Sequence, residues 1–246
     1  MRRIVSTGIA VIFMTISTFA QVDTTTKAPK PQINLKKAES RSSDHFILQF
    51  GYLNWTSAPD SIRTKGFPHS FNVYLMLDFP FKTNTHWSVA LGPGIGSDHM
   101  YFDKMYPGVK DNTPSIVFQD HEDTTHFKKV KLATNYAELP IELRYRFNTA
   151  SDKSSVKIAF GVKVGALINA HVRASELQTS SDETLNAYVL KESSKRFFNK
   201  SRLSVMGRVG LGHYSLFASY GVTPIFKEGQ GPIVRPLTVG IMLSGL

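Results

Sequence analysis

The sequence predicts an all-β fold, an eight-stranded antiparallel up-and-down transmembrane β-barrel. Three observations lead there. Eight stretches alternate apolar and non-apolar residues with a period of two, which sends successive side chains to opposite faces of a strand. The connections between them alternate long and short, the pattern of a barrel with short periplasmic turns and long outer loops. The non-apolar parity collects charges and glycines, a composition suited to a narrow lumen that side chains fill.

The chain of 246 residues begins with Arg2 and Arg3, a mostly apolar run from Ile4 to Ile16, and Thr18-Phe19-Ala20 before Gln21. That arrangement predicts a cleaved signal peptide over residues 1–20 and export to the cell outer membrane. Residues 21–43 are polar, carry Pro29 and Pro31 and hold no period, so they read as a flexible periplasmic lead-in. Residues 44–246 form the barrel domain.

The first strand, His45 to Asn54, sets Phe46, Leu48, Phe50 and Tyr52 on one parity. The second, Ser70 to Phe79, alternates Phe71, Val73, Leu75, Leu77 and Phe79 against Asn72, Tyr74, Met76 and Asp78. The third, His86 to Gly96, sets Trp87, Val89, Leu91 and Ile95 against Gly92, Gly94 and Gly96. A long polar loop is expected from Ser97 to about Lys129. The fourth strand occupies Lys131 to Phe147, with Leu139, Ile141, Leu143, Tyr145 and Phe147 opposed to Glu138, Pro140, Glu142, Arg144 and Arg146. Proline removes a ladder hydrogen bond, so Pro140 predicts a local bulge.

The fifth strand, Val156 to Asn169, sets Val156, Ile158, Phe160, Val162 and Val164 against Lys157, Gly161, Lys163 and Gly165. A second long loop is expected from Ala170 to Lys200. The sixth strand, Arg202 to Gly212, carries Arg202 and Arg208 on its polar parity, and the seventh runs from Tyr214 to Val222. The eighth alternates Leu237, Val239, Ile241 and Leu243 with Thr238, Gly240, Met242 and Ser244.

Facing separates a membrane barrel from a soluble one. Rows of glycine are a poor choice for solvent-facing strand positions, because glycine loses the most backbone freedom on ordering. Inside a narrow barrel they leave room for long charged side chains. The predicted lumen charge network is therefore Asp78, Glu138 and Glu142 with Arg144, Arg146, Lys157, Lys163, Arg202 and Arg208. Unpaired buried charge is costly, so pairing is required, with Glu142 to Lys157 or Lys163 expected. Aromatics are expected in two belts: Phe79, Phe81, Trp87, Tyr145, Phe147 and Tyr214 near the short turns, and Trp55, Phe71, Tyr220 and Phe226 near the loops.

The net charge is +10, falling to +8 without Arg2 and Arg3, and there is no cysteine. Disulfides and a lipid-attached cysteine are thereby excluded. An exported basic chain points to outer membrane lipid and lipopolysaccharide phosphates as partners rather than nucleic acid.

Tyr136-Ala-Glu138-Leu-Pro140-Ile-Glu-Leu followed by Arg144-Tyr-Arg-Phe147 resembles the Tyr-x-Glu-Ile-Pro-Leu strand of the PorT-like outer membrane β-barrel family of Bacteroidetes. Phe79-Pro80-Phe81, the stretch Gly161 to Gly165 and Ala20-Gln21 are similar as well. The resemblance spans roughly residues 44–246. It implies an eight-stranded outer membrane barrel, and in one branch of the family a part in protein secretion.

Candidate sites are few. Asp120-His121-Glu122-Asp123 with His126 gathers metal-ligand types without a recognised spacing, so His121, Glu122, Asp123 and His126 are weak candidates beside a solvated loop. His213-x-Ser215 with Glu228 loosely resembles lipid A deacylases. The topology places His213 and Glu228 at opposite membrane faces, roughly 30 Å apart. Tyr101, Phe102, Tyr106, Phe197 and Phe198 are candidates for contact with an envelope protein partner, although packing within the loops is the preferred reading. The expected role is structural or interactive, with no catalytic residue and no cofactor. A small channel and a lipid-modifying enzyme are the alternatives.

Overall fold

The computed structural model describes residues 45–148 and 155–245. The expected signal peptide and lead-in lie outside the described residues. Thirteen strand segments form: β1 (Phe46–Thr56), β2 (His69–Leu75), β3 (Leu77–Pro80), β4 (Trp87–Leu91), β5 (Gly94–Phe102), β6 (Met105–Pro107) and β7 (Phe118–Asp120). The remainder are β8 (His126–Arg146), β9 (Val156–Gln178), β10 (Thr184–Ser193), β11 (Ser201–Leu211), β12 (Tyr214–Gly221) and β13 (Arg235–Ser244). There is no helix among the described residues.

Eleven segments join one sheet whose ladders are all antiparallel. From β1 the ladders pass through β2, β5, β8, β9, β11, β12 and β13 and return to β1. β6 and β7 form a separate hairpin within the connection between β5 and β8. The result is an all-β barrel architecture.

Alternation sets the facing. β12 is the plainest case: Tyr214, Leu216, Ala218 and Tyr220 are exposed, while Ser215, Phe217, Ser219 and Gly221 are buried. The exposed face of the ring is apolar, with Phe160 at 69% and Tyr214 at 74% accessible. Its buried face carries the charges.

Where the expected strands are interrupted, the cause is local. β4 and β5 are separated by Gly92 and Pro93. Pro93 has no N–H for the ladder, and a Cβ on Gly92 would stand 1.8 Å from the Leu75 carbonyl oxygen, so only glycine permits this approach. The interruption lies beside Pro140, because Gly94 pairs with Glu138 and Leu91 with Ile141. The bulge expected at Pro140 is therefore not the solution used. β8 passes through Pro140 opposite Lys163 in register with β9, and the strand on its other side gives way instead.

The register shift in the β8–β9 ladder falls between Asn135 and Tyr136, which face Asn169 and Leu167. Ile168 is the extra residue, and it reverses which parity of β9 faces inward. Lys163 and Leu167 are buried before it, and Ala170, Val172 and Ala174 after it.

Two expected loops contain long extensions of strand. β5 continues to Phe102 and β8 begins at His126, within the stretch read as a loop from Ser97 to Lys129. β9 continues to Gln178 and β10 returns beside it, within the stretch read as a loop from Ala170 to Lys200. In these extensions the pattern inverts. Met100, Phe102, Val130, Leu132 and Val172 face inward and form an apolar core, while Lys131 and Arg173 take the outward parity.

Candidate functional site

The candidate site is the interior, which is layered. In the half nearer the short turns, Ile47, Tyr74, Met76, Ala90, Phe217 and Met242 form a small apolar cluster beside the charges, with Ala90 paired with Asp78 and Glu142 and Phe217 with Arg208. At the long-loop end, a larger core gathers Leu53, Trp55, Phe102, Phe197, Phe198 and Phe226 among others. All nine residues of the predicted charge network are buried, and seven of them meet in two ionic groups together with Asp98.

The first group centres on Glu138. Tyr74 donates its hydroxyl to Glu138 Oε2 at 2.6 Å, and Lys163 Nζ lies 3.2 Å from the same oxygen. Arg202 bridges Glu138 and Asp98 and lies over the Tyr136 ring, 4.2 Å from its centroid. β8, β9, β11, β2 and β5 each contribute a residue, so the group ties five strands together. Room for it comes from Gly96, where an added Cβ would stand 2.8 Å from Glu138 Oε2 and from Asn72 Oδ1.

The second group centres on Glu142. Arg144 Nε donates to Glu142 Oε2 at 2.7 Å and Arg208 Nη2 at 3.1 Å. Arg144 also lies 3.5 Å from Asp78, which accepts from Ser88 at 2.7 Å. Glu142 is thus held by arginines, not by Lys157 or Lys163 as expected. Lys163 projects from the residue opposite Pro140 and reaches Glu138 instead. Arg146 and Lys157 are buried directly opposite one another nearer the short turns.

Sequence reasoning missed Asp98 and Tyr74. Asp98 continues the parity of Gly94 and Gly96, but it fell in the stretch read as a loop. Tyr74 shares the inward parity of Asn72 and Asp78, and its aromatic ring masked a polar role. The space bounded by Asn72, Asp98, Lys163 and Arg202 measures about 10 Å³. That is at the lower limit for one water, so side chains fill most of the space beside the Glu138 group.

The weak metal candidates are dispersed. Arg63 takes Asp120 at 2.6 Å and Glu122 at 3.1 Å, holding the Asp120 carboxyl below its usual range. His121 lies 3.3 Å from both Thr124 and Gln119, and Asp123 is exposed. Buried His126 contacts Asp182 at 3.0 Å, and Lys104 and then His126 lower that carboxyl. Among the described residues no three His, Asp or Glu side chains gather as metal ligands.

His213 Nδ1 contacts the Ser244 carbonyl at 2.9 Å, and the whole of β12 separates it from Glu228 in the following loop. Of the loop aromatics, Phe102, Phe197 and Phe198 are buried in the long-loop core, whereas Tyr101 and Tyr106 are half-buried. Trp55 and Phe226 also belong to this core and not to a belt, meeting edge to face at 5.9 Å. The aromatics exposed at the long-loop end include Tyr52, Phe67, Phe71 and Tyr220, the last two as expected. At the other end Trp87 and Tyr145 pack at 4.9 Å, with Phe147 beside them.

A model of the outer membrane protein beta-barrel domain matches residues 19–227. The chain belongs to this family. Its apolar outer face is accordingly the surface an outer membrane β-barrel domain presents to lipid, and its buried charges occupy the lumen. Among solved structures, the chain is similar to Ail, the attachment invasion locus protein of Yersinia pestis, at 11% identity and a TM-score of 0.33, covering 83% of this chain and 97% of that one. No curated protein sequence matches it.

Proposed function

We propose that this outer membrane β-barrel domain is a plugged, non-enzymatic barrel of eight walls with a structural or interaction role in the cell envelope. The count treats β2 with β3, β4 with β5, and β10 with β11 as single interrupted walls, since each pair borders the same neighbouring wall. The observation that carries the reading is the filled interior: two ionic groups covered by an apolar core towards the long loops, with a smaller apolar cluster packed beside the Glu142 group. Each carboxylate of the two groups is engaged by a cation, which favours a scaffold over acid–base chemistry. A narrower reading, a secretion component of the PorT-like kind, rests on the residue pattern of Tyr136 to Phe147. Crosslinking in intact cells followed by pulldown tests it, and recovery of no secretion protein refutes it.

Planar-bilayer recording tests the plug. The expected trace is flat, and discrete reproducible openings would refute the plugged barrel in favour of a small channel. Recovery in the outer membrane fraction with heat-modifiable gel migration is expected. Recovery as a soluble monomer without detergent would defeat the topology. Lipid A from expressing cells should keep its acyl chains by mass spectrometry, and altered chains would establish an enzyme.

A further inference from the structure

Beyond the apolar band, the outer face of β8, β9 and β10 becomes basic. Lys131 stands directly opposite Arg173, and Arg173 directly opposite Lys191. All three take the outward parity, because their neighbours Leu132, Val172 and Leu190 pack into the outer apolar core. Cross-strand partners have Cβ atoms about 4.5–5.5 Å apart, and like charges so placed repel. Among the described residues no carboxylate relieves the row: Glu192 turns to the Tyr106 hydroxyl and Glu176 pairs with Lys128.

The level of the row identifies what it meets. Arg173 is five residues beyond Ile168, which is exposed and apolar, so it stands within about 17 Å along β9 of the lipid-facing band. Between them lies an uncharged hydrogen-bonding zone in which Ser97 donates to Asn135 and Asn169 contacts His171. Tyr101 faces Lys131 across the β5–β8 ladder and borders a groove of about 510 Å³. Phe67 and His69 line the same groove, with Lys65, Lys128 and Lys129 at its edge. Lys65 and Lys128 are engaged by Asp103 and Glu176, but Lys131, Arg173 and Lys191 have no acidic partner among the described residues, and cations so placed beside an apolar groove at headgroup height complement an amphiphile with an anionic head. Guanidinium in particular matches phosphate through paired hydrogen bonds.

We propose that Lys131, Arg173 and Lys191 bind the phosphate of an outer-leaflet glycolipid of lipid A type, with the Phe67–Tyr101 groove taking an apolar part of the same molecule. The proposal rests on reading the long-loop end as the cell-surface end.

The test uses the full mature chain in detergent, stripped of lipid, with native mass spectrometry as readout. Three probes are added separately: bisphosphorylated lipid A, dephosphorylated lipid A and inorganic phosphate. Loss of charge-assisted contacts in K131Q/R173Q/K191Q should weaken retention of bisphosphorylated lipid A by at least about tenfold. Dephosphorylated lipid A should bind both proteins equally weakly, and millimolar inorganic phosphate should not displace the lipid. The charge-conserving K131R/R173K/K191R chain should keep binding. In lipid-free detergent the neutral variant should melt no lower than the unmodified chain, since it has lost only mutual repulsion. Equal retention by the neutral variant, displacement by inorganic phosphate, or a lower melting temperature without lipid each overturns the proposal. Fractionation is scored in parallel: a chain absent from the outer membrane sinks the membrane reading, whereas a correctly placed chain that ignores lipid A sinks this site alone.

Discussion

Glu138→Ala probes the ionic layer most directly. Glu138 is 4% accessible and accepts from Tyr74, Lys163 and Arg202, which are all buried as well. Arg202 keeps Asp98 when Glu138 is removed, but among the described residues Glu138 is the one carboxylate in ion-pair contact with Lys163. Removing one partner of a buried pair costs about 3–5 kcal/mol, because the other charge stays buried without compensation. The estimate for Glu138→Ala is therefore about 4 kcal/mol, most of it arising from Lys163. If so, Lys163→Met in the same chain should recover about half of the loss, since an apolar residue of similar length leaves no stranded charge. Urea titrations of the detergent-folded barrel, read by heat-modifiable gel migration, measure all four corners of the cycle. A Glu138→Ala barrel within about 1 kcal/mol of the unmodified one, or a coupling to Lys163 near zero, would refute a buried ionic tie.

Three further outcomes follow from the same architecture. Ile141 is 39% accessible on the lipid face, so Ile141→Arg should cost about 2–4 kcal/mol near the midplane and reduce membrane insertion, measured by urea titration in bilayers. Gly96→Val would put a Cβ 2.8 Å from the Glu138 carboxylate. It should destabilise by about 1–3 kcal/mol, and less in a Glu138→Ala background, which a double-mutant cycle detects. Phe198→Ala empties part of the outer core and should cost about 3–5 kcal/mol, with faster protease cleavage of the outer loops and unchanged membrane fractionation.

Much of the barrel is legible in the chain because a strand facing lipid must alternate. In β8, residues 138 to 146 show acid or base on one parity, Pro140 apart, and Leu, Ile or Tyr on the other. Residues 126 to 136 of the same strand conceal themselves. There the outside meets water and headgroups and the inside is apolar, so Lys129 and Lys131 make a strand look like a loop. Asp98 was lost to the charge network for this reason. The metal candidates show the converse failure. His121 and His126 are close in sequence, yet Arg63 and Asp182 draw the neighbouring side chains in different directions.

The sequence by itself determined the all-β class, the facing of the membrane-spanning strands and nine of the charges that lie inside. Period-two alternation constrains each strand separately, and the cost of charge in hydrocarbon decides the side. Only the tertiary structure decided which carboxylate meets which cation, where Pro140 is accommodated and how an apolar core covers the charges towards the long loops. Those depend on register between strands distant in the chain. The single extra residue at Ile168 reverses the inward parity of β9, and no one strand's sequence specifies the alignment that does so.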